Sequence, residues 1–304
     1  MNLFIKKILV LVTILTSTYL FLGFFADGYT DPFYLRFTSP KQKSLIIGTS
    51  RAAQGIQPKL LNENLIHSRY KPVFNYSFTL LHSPYGETYF NAIKAKVNDK
   101  INDGLFILAV DPWSISSRNN INYEIETKKE LGRLQFYNMN PNYDYLMNAY
   151  RNSVFGLLNK KDTSMLLHQD GWLEVNVSME SDELLRRKLF KKKQYLDNAK
   201  IYEFSKKRMF WLHKTVEFLQ KYGTVILVRI PVGDEILKIE NTFFPNFDLV
   251  INQNFLNISY LNYKEFGNEY SYIDGNHLYK KSGEKFTLKL AKDINNIIVC
   301  NSLN

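Results

Sequence analysis

The stretch Leu105-Phe106-Ile107-Leu108-Ala109-Val110 is apolar at every position. A strand with one wet face alternates apolar and polar residues. A strand that is apolar throughout must be covered on both faces, which is the situation of a parallel sheet between layers of helices. Leu45-Ile46-Ile47 and Val225-Ile226-Leu227-Val228 are of the same kind. Pro72–Phe78 reads as a further strand and Ile258–Leu261 as an edge strand. Between them lie stretches with helical character. Arg51–Leu61 begins with a short helix. Ser83 as N-cap, Pro84 at the first helical position and Glu87 as a capping carboxylate predict a helix running to Asn98. Ile201–Tyr222 predicts a helix with Gly223 at its C-cap, and Phe247–Asn257 and Glu284–Ile298 predict two more. Alternating strands and helices imply an α/β fold with a doubly wound, mostly parallel sheet.

Residues 115–200 break this rhythm and are rich in Asn, Tyr, Lys and Arg. Tyr143–Leu158 has helical spacing and Gln169–Trp172 marks a turn. The segment is expected to be a helical insertion, or cap, on a domain made of residues 43–114 and 201–300. Arg186, Arg187, Lys188 and Lys191-Lys192-Lys193 form a basic run. Such a run is either a solvated face or a contact for an anionic surface.

At the amino end, Lys6 and Lys7 precede Ile8–Phe25, which carries no charge. That is about the length needed to cross a bilayer as a helix. A cleaved signal peptide is the competing explanation, but the apolar stretch is long for one, and Phe24 stands where cleavage needs a small residue. Residues 1–27 are therefore expected to be an uncleaved transmembrane signal anchor, followed by a linker over 28–42. The positive-inside rule leaves the amino terminus cytoplasmic and the rest extracytoplasmic.

The chain has 304 residues, with 39 Lys and Arg against 29 Asp and Glu, a formal charge of +10. This favours anionic partners such as lipid headgroups or acidic polymers. No helix-turn-helix, zinc-finger or RNA-recognition pattern accompanies it, so nucleic acid is not expected. The single cysteine, Cys300, excludes an intramolecular disulfide and a thiolate metal site. His67, His82, His168 and His213 lack ligand spacing, so neither a metal nor a cofactor is expected.

Two short stretches carry chemistry. The first strand runs into Gly48-Thr49-Ser50-Arg51, which presents Ser50 where the strand stops, with the amino end of a helix behind it as a source of N–H donors. Near the other end stands Asp274-Gly275-Asn276-His277. An Asp three residues before a His suits a carboxylate that orients an imidazole, leaving the other ring nitrogen free to take a proton from a serine.

An early strand–Gly-x-Ser and a late Asp-x-x-His resemble the first and last blocks of the SGNH/GDSL hydrolase superfamily. The Gly-Thr-Ser-Arg form behind an amino-terminal anchor is most similar to its membrane-anchored cell-envelope branch, which includes accessory proteins of alginate, peptidoglycan and teichoic-acid acylation. The resemblance covers the element order over residues 43–298 and the motifs only at the two ends. It implies an SGNH/flavodoxin-like sheet and a Ser50–His277–Asp274 triad. In the middle blocks the sequence departs from the family: a Gly is replaced by Asn75-Tyr76-Ser77, and Gly-x-Asn-Asp by Asp111-Pro112-Trp113. The candidates for binding the oxyanion or substrate are therefore Ser77, Asn75, Arg51 and Asp111. An ionised Asp cannot donate a hydrogen bond. The expected activity is that of an esterase or O-acyltransferase on acyl esters of cell-envelope glycans, with a multispanning acyltransferase as implied partner. The alternative is a catalytically degenerate scaffold that binds glycan or organises an assembly.

Overall fold

The computed structural model describes residues 2–78, 85–118, 140–148, 150, 154–159 and 164–303. Helix α1 (Asn2–Gly23) comes first, and Leu3–Gly23 is long and apolar enough to cross a membrane, with a mean hydropathy of 1.8. Its far end is not free. The Tyr143 hydroxyl donates to the Leu20 carbonyl at 2.7 Å, and Leu22 and Ala26 join the main core. Residues 28–42, expected as a linker, contain helix α2 (Tyr34–Thr38), whose Tyr34, Leu35 and Phe37 are buried in that core.

The chain then enters a five-stranded, all-parallel sheet. Strand β1 (Ser44–Ile47) is followed by helices α3 (Ser50–Gly55) and α4 (Pro58–Asn64), then by β2 (Val73–Asn75). Helix α5 (Glu87–Lys96) leads to β3 (Gly104–Ala109). This helix starts at Glu87 with Gly86 as N-cap and no side-chain cap. Ser83, Pro84 and His82 lie outside the described residues.

The region from 115 to 200 supplies β4 (Ser116–Arg118), α6 (Tyr143–Asn148), the hairpin β5 (Met165–Leu167) and β6 (Leu173–Val175), and α7 (Ser181–Ile201). Strand β7 (Tyr202–Phe204) pairs antiparallel with β4. Helix α8 (Lys206–Leu219) follows, with the Ser205 side chain accepting from the Arg208 N–H as N-cap. The single helix expected over 201–222 is therefore wrong at its start: a short strand at 202–204 separates two helices. Gly223 is not a C-cap; it opens β8 (Gly223–Arg229). The chain closes with α9 (Asp234–Phe243), α10 (Phe247–Asn254), β9 (Ser259–Asn262) and α11 (Lys280–Leu303).

The strand order is β2-β1-β3-β8-β9. Leu45, Ile47, Phe106, Leu108, Val225 and Leu227 face one core cluster with α5, α8 and α10. Ile46, Leu105, Ile107, Ala109, Ile226 and Val228 face a second with α11. The period of two thus divides each uniformly apolar strand between two interiors. From β1 the chain steps outward to β2, then returns to β3 on the other side of β1. Loops leaving β1 and β3 diverge there, and a crevice opens beyond the strand ends.

Candidate active site

Ser50 is the first residue of α3, placed by the turn that leaves β1. A Cβ on Gly48 would come within 2.7 Å of the Ala109 Cβ and 2.8 Å of the Ala52 Cβ, so only glycine lets β1 end this close to β3 and to α3. Thr49 caps the helix through its side chain, and Ser50 is then presented at the carboxyl edge of the sheet.

His277 comes from the loop before α11. The Asp274 carboxylate organises this loop: its Oδ1 accepts the backbone N–H groups of Asn276 and His277, both at 2.9 Å. Gly275 has φ +85°, the left-handed region that an L side chain resists. The Gly233 N–H donates to the Gly275 carbonyl at 2.8 Å, and Ile273 N–H to His277 O at 2.9 Å. These contacts fix the imidazole. Its Nδ1 is 2.8 Å from Asp274 Oδ2, and its Nε2 is 2.8 Å from Ser50 Oγ. Asp274 and His277 are both 8% exposed. Burial works against an ionised Asp274, but His277, Lys191 and the backbone N–H groups outweigh it and hold the carboxyl well below the usual carboxylate range.

A serine hydroxyl, an imidazole and a carboxylate in this line can move a proton from oxygen to nitrogen and hold the cation that forms. Ser50 and His277 open into a cleft of about 440 Å³ whose other walls include Gln54, Arg118, Lys191, Gln194, Tyr195 and Tyr202. Helix α7 thus covers the cleft. Other cavities are as large or larger; the two of about 620 and 550 Å³ contain no nucleophile–base pair among their described linings, and one shares Tyr202 with the cleft while the other is lined in part by Asp274.

The remaining candidates lie elsewhere. Asn75 Nδ2 donates to the Ala52 and Ile56 carbonyls at 2.9 and 3.0 Å, and Asn75 Oδ1 accepts the Ser77 N–H at 3.2 Å. Ser77 Oγ donates to the Ile46 carbonyl at 3.3 Å. Both residues tie β2 to its surroundings, and their polar atoms are engaged there. Asp111 Oδ1 accepts from the N–H groups of Trp113 and Ser114 at 2.9 and 2.8 Å, closing a turn. Burial and the neighbouring Glu240 raise its carboxyl above the ordinary value, against the pull of Arg51.

Arg51 is 3% exposed and does not reach the cleft. Its Nη2 donates to Glu240 Oε1 at 2.6 Å and its Nε to Asn276 Oδ1 at 2.8 Å, while Nη1 stands 3.8 Å from Asp111. Glu240 also accepts from Trp113 Nε1 at 3.1 Å and from Arg229 at 3.1 Å, and Arg229 pairs with Asp248 at 2.7 Å. Burial opposes the charge on Arg51, yet Glu240 and Asp111 hold it above its ordinary value, so the guanidinium stays protonated.

Sequence reasoning missed Glu240, Tyr195, Lys191 and the side chain of Asn276. The basic run of α7 is not one solvated face. Arg187 Nε donates to the Ile273 carbonyl at 2.8 Å, Lys191 lies 3.6 Å from Asp274, and Lys192 pairs with Glu235. His168 pairs with Glu174 at 2.8 Å and stacks on Trp172. Among the described residues no cluster of His, Cys, Asp and Glu is arranged to hold a metal ion. Neither a family model nor a curated protein matches the chain.

Proposed function

We propose that this protein is a membrane-anchored serine esterase or O-acyltransferase acting on acyl esters of cell-envelope glycans. The observation that carries this is the unbroken line from Ser50 Oγ through the His277 ring to Asp274, at 2.8 Å per contact. Ser50 Oγ attacks the acyl carbonyl while His277 Nε2 takes its proton. The resulting imidazolium, held by Asp274, returns the proton to the departing alkoxide as the tetrahedral intermediate collapses to an acyl-serine. Water, or a sugar hydroxyl, then attacks the acyl-serine with His277 again as base. Water gives hydrolysis; the sugar gives transfer.

The strand order β2-β1-β3-β8-β9 follows the same pattern as the flavodoxin-like order, which supports reading the sheet as doubly wound. It supports placing the chain beside the SGNH/GDSL hydrolases, as do the two end motifs. Helix α1 supports a single-pass anchor, and Lys6 and Lys7 before its apolar stretch support an extracytoplasmic domain. A multispanning acyltransferase that passes acyl groups across the membrane is the partner this arrangement suits.

A second reading rests on Asn75 and Ser77, whose polar atoms are engaged away from the cleft. A degenerate scaffold that binds glycan without turning it over has no need of oxyanion donors. The test is labelling of the full chain in detergent with a fluorescent fluorophosphonate. The expected result is labelling of the parent and none of Ser50→Ala. A parent that neither labels nor hydrolyses chromogenic acetyl esters favours the scaffold.

A further inference from the structure

The side-chain amide of Asn276 is held by three contacts whose directions allow only one orientation. Its Oδ1 accepts two hydrogen bonds, from Arg51 Nε at 2.8 Å and from the Tyr195 hydroxyl at 2.7 Å. Its Nδ2 lies 3.1 Å from His277 Nε2. Turning the amide over would set two donors against the NH₂ group and an oxygen against the imidazole lone pair. The two anchors are themselves fixed. Arg51 is paired with Glu240, and the Tyr195 ring packs edge-on against Trp113 at 4.9 Å.

A neutral imidazole with its Nδ1 proton on Asp274 has one lone pair at Nε2. That lone pair faces two donors, the Ser50 hydroxyl and the Asn276 amide. When Ser50 attacks, the lone pair is consumed, because Nε2 becomes an N–H. The Asn276 N–H then loses its acceptor at the moment an oxyanion forms on the carbon bonded to Ser50 Oγ. A donor that is held in place and released only in the transition state stabilises that state and not the ground state.

We infer that Asn276 is a catalytic residue, its Nδ2–H donating to the tetrahedral oxyanion, with Arg51 and Tyr195 as the positioning residues that aim it. This rests on Ser50 being the nucleophile, and it supplies the donor that Asn75 and Ser77 do not.

The test uses full-length protein in detergent with a chromogenic acetyl ester. Asn276→Asp keeps an oxygen for Arg51 and Tyr195, removes the donor and adds a negative charge, whereas Asn276→Ala removes the donor without the charge. The kcat of Asn276→Asp is expected to fall about 10²–10³-fold with KM nearly unchanged. Asn276→Ala should lose a similar factor. Beyond this loss, the carboxylate of Asn276→Asp favours the imidazolium, so its pH–rate profile should move to higher pH by about one unit or more. The charged or titratable groups around the imidazole are Asp274 on its own loop, Lys191 and Tyr195 of α7, Arg118 of β4 and Tyr202 of β7, with Arg51 of α3 behind the Asn276 amide. Tyr195→Phe, which removes one anchor, should lower kcat about tenfold at unchanged KM. If Asn276→Asp and Asn276→Ala keep kcat within threefold of the parent while Ser50→Ala is inactive, the assignment of Asn276 is overturned and the nucleophile stands. If Ser50→Ala keeps parental turnover, the nucleophile falls and Asn276 with it.

Discussion

The Ser50 hydroxyl stands 2.8 Å from Nε2 of His277, although 227 positions of chain separate the two residues. The parallel sheet makes the meeting possible. It delivers the end of β1 to the same edge that the loop before α11 reaches, and the Gly233–Gly275 hydrogen bond holds that loop down.

Asp274 orients the imidazole through Nδ1, so Asp274→Asn should leave the fold intact and present the wrong tautomer. The expected loss in kcat for ester hydrolysis is about 10⁴-fold. The same carboxylate has a stability signature. Its folded value is depressed, so its contribution is present above the unfolded value of ~3.9 and is lost as pH falls through that region toward the folded one. Thermal melts of the parent between pH 5 and 3 should therefore fall more steeply than those of Asp274→Asn.

Glu240 is 1% exposed and serves Arg51, Arg229 and Trp113 together. Glu240→Gln leaves buried cations without their shared anion, which should cost about 3–5 kcal/mol in denaturant unfolding. Combining Glu240→Leu with Arg51→Met should cost less than the sum of the two single changes, because each removes the partner that the other would leave stranded.

Lys96 is 1% exposed, with its ammonium against the Ser39 carbonyl and 5.5 Å from the centre of the Tyr76 ring. Burial pushes it down to about 7. An unfolded lysine titrates near ~10.4, so between these values the unfolded chain binds a proton that the folded one has released. Stability should rise with pH across that window. Lys96→Met should flatten this slope and raise Tm at pH 7 by about 2–4 °C or more, measured by calorimetry.

Helix α1 should keep the full chain in the membrane through alkaline carbonate extraction, and amino-terminal sequencing should find residues 1–25 retained. Protease added to spheroplasts should digest the domain, with α1 protected. A sequence beginning near Asp27, or a domain protected in intact spheroplasts, is the contrary result.

How much of this was legible before the structure depended on the length scale of each signal. Leu105–Val110 announced a parallel sheet because burial on both faces leaves a local trace. Ser50, Asp274 and His277 each belong to a short motif whose chemistry is local too. Glu240 has no such trace: its role comes from Arg51, 189 positions away. The same holds for the Asn276 amide, which meets Arg51 across 225 positions. Helix α7 was read as a basic run because Tyr195 is its only buried residue among 21, so no apolar stripe marked it. The break at 202–204 was missed because Tyr202 and Phe204 suit a helix face as readily as a short strand.

The grip of Tyr143 on the end of α1 sets a working distance. With the Leu20 carbonyl held and Leu22 and Ala26 packed into the core, the end of α1 has no slack between it and the domain. A domain on a flexible tether sweeps a volume; a locked helix end holds a domain like a tool on a fixed mount. On the proposed reading, in which α1 spans the bilayer, the cleft would stay at one height and meet only substrate brought to that level.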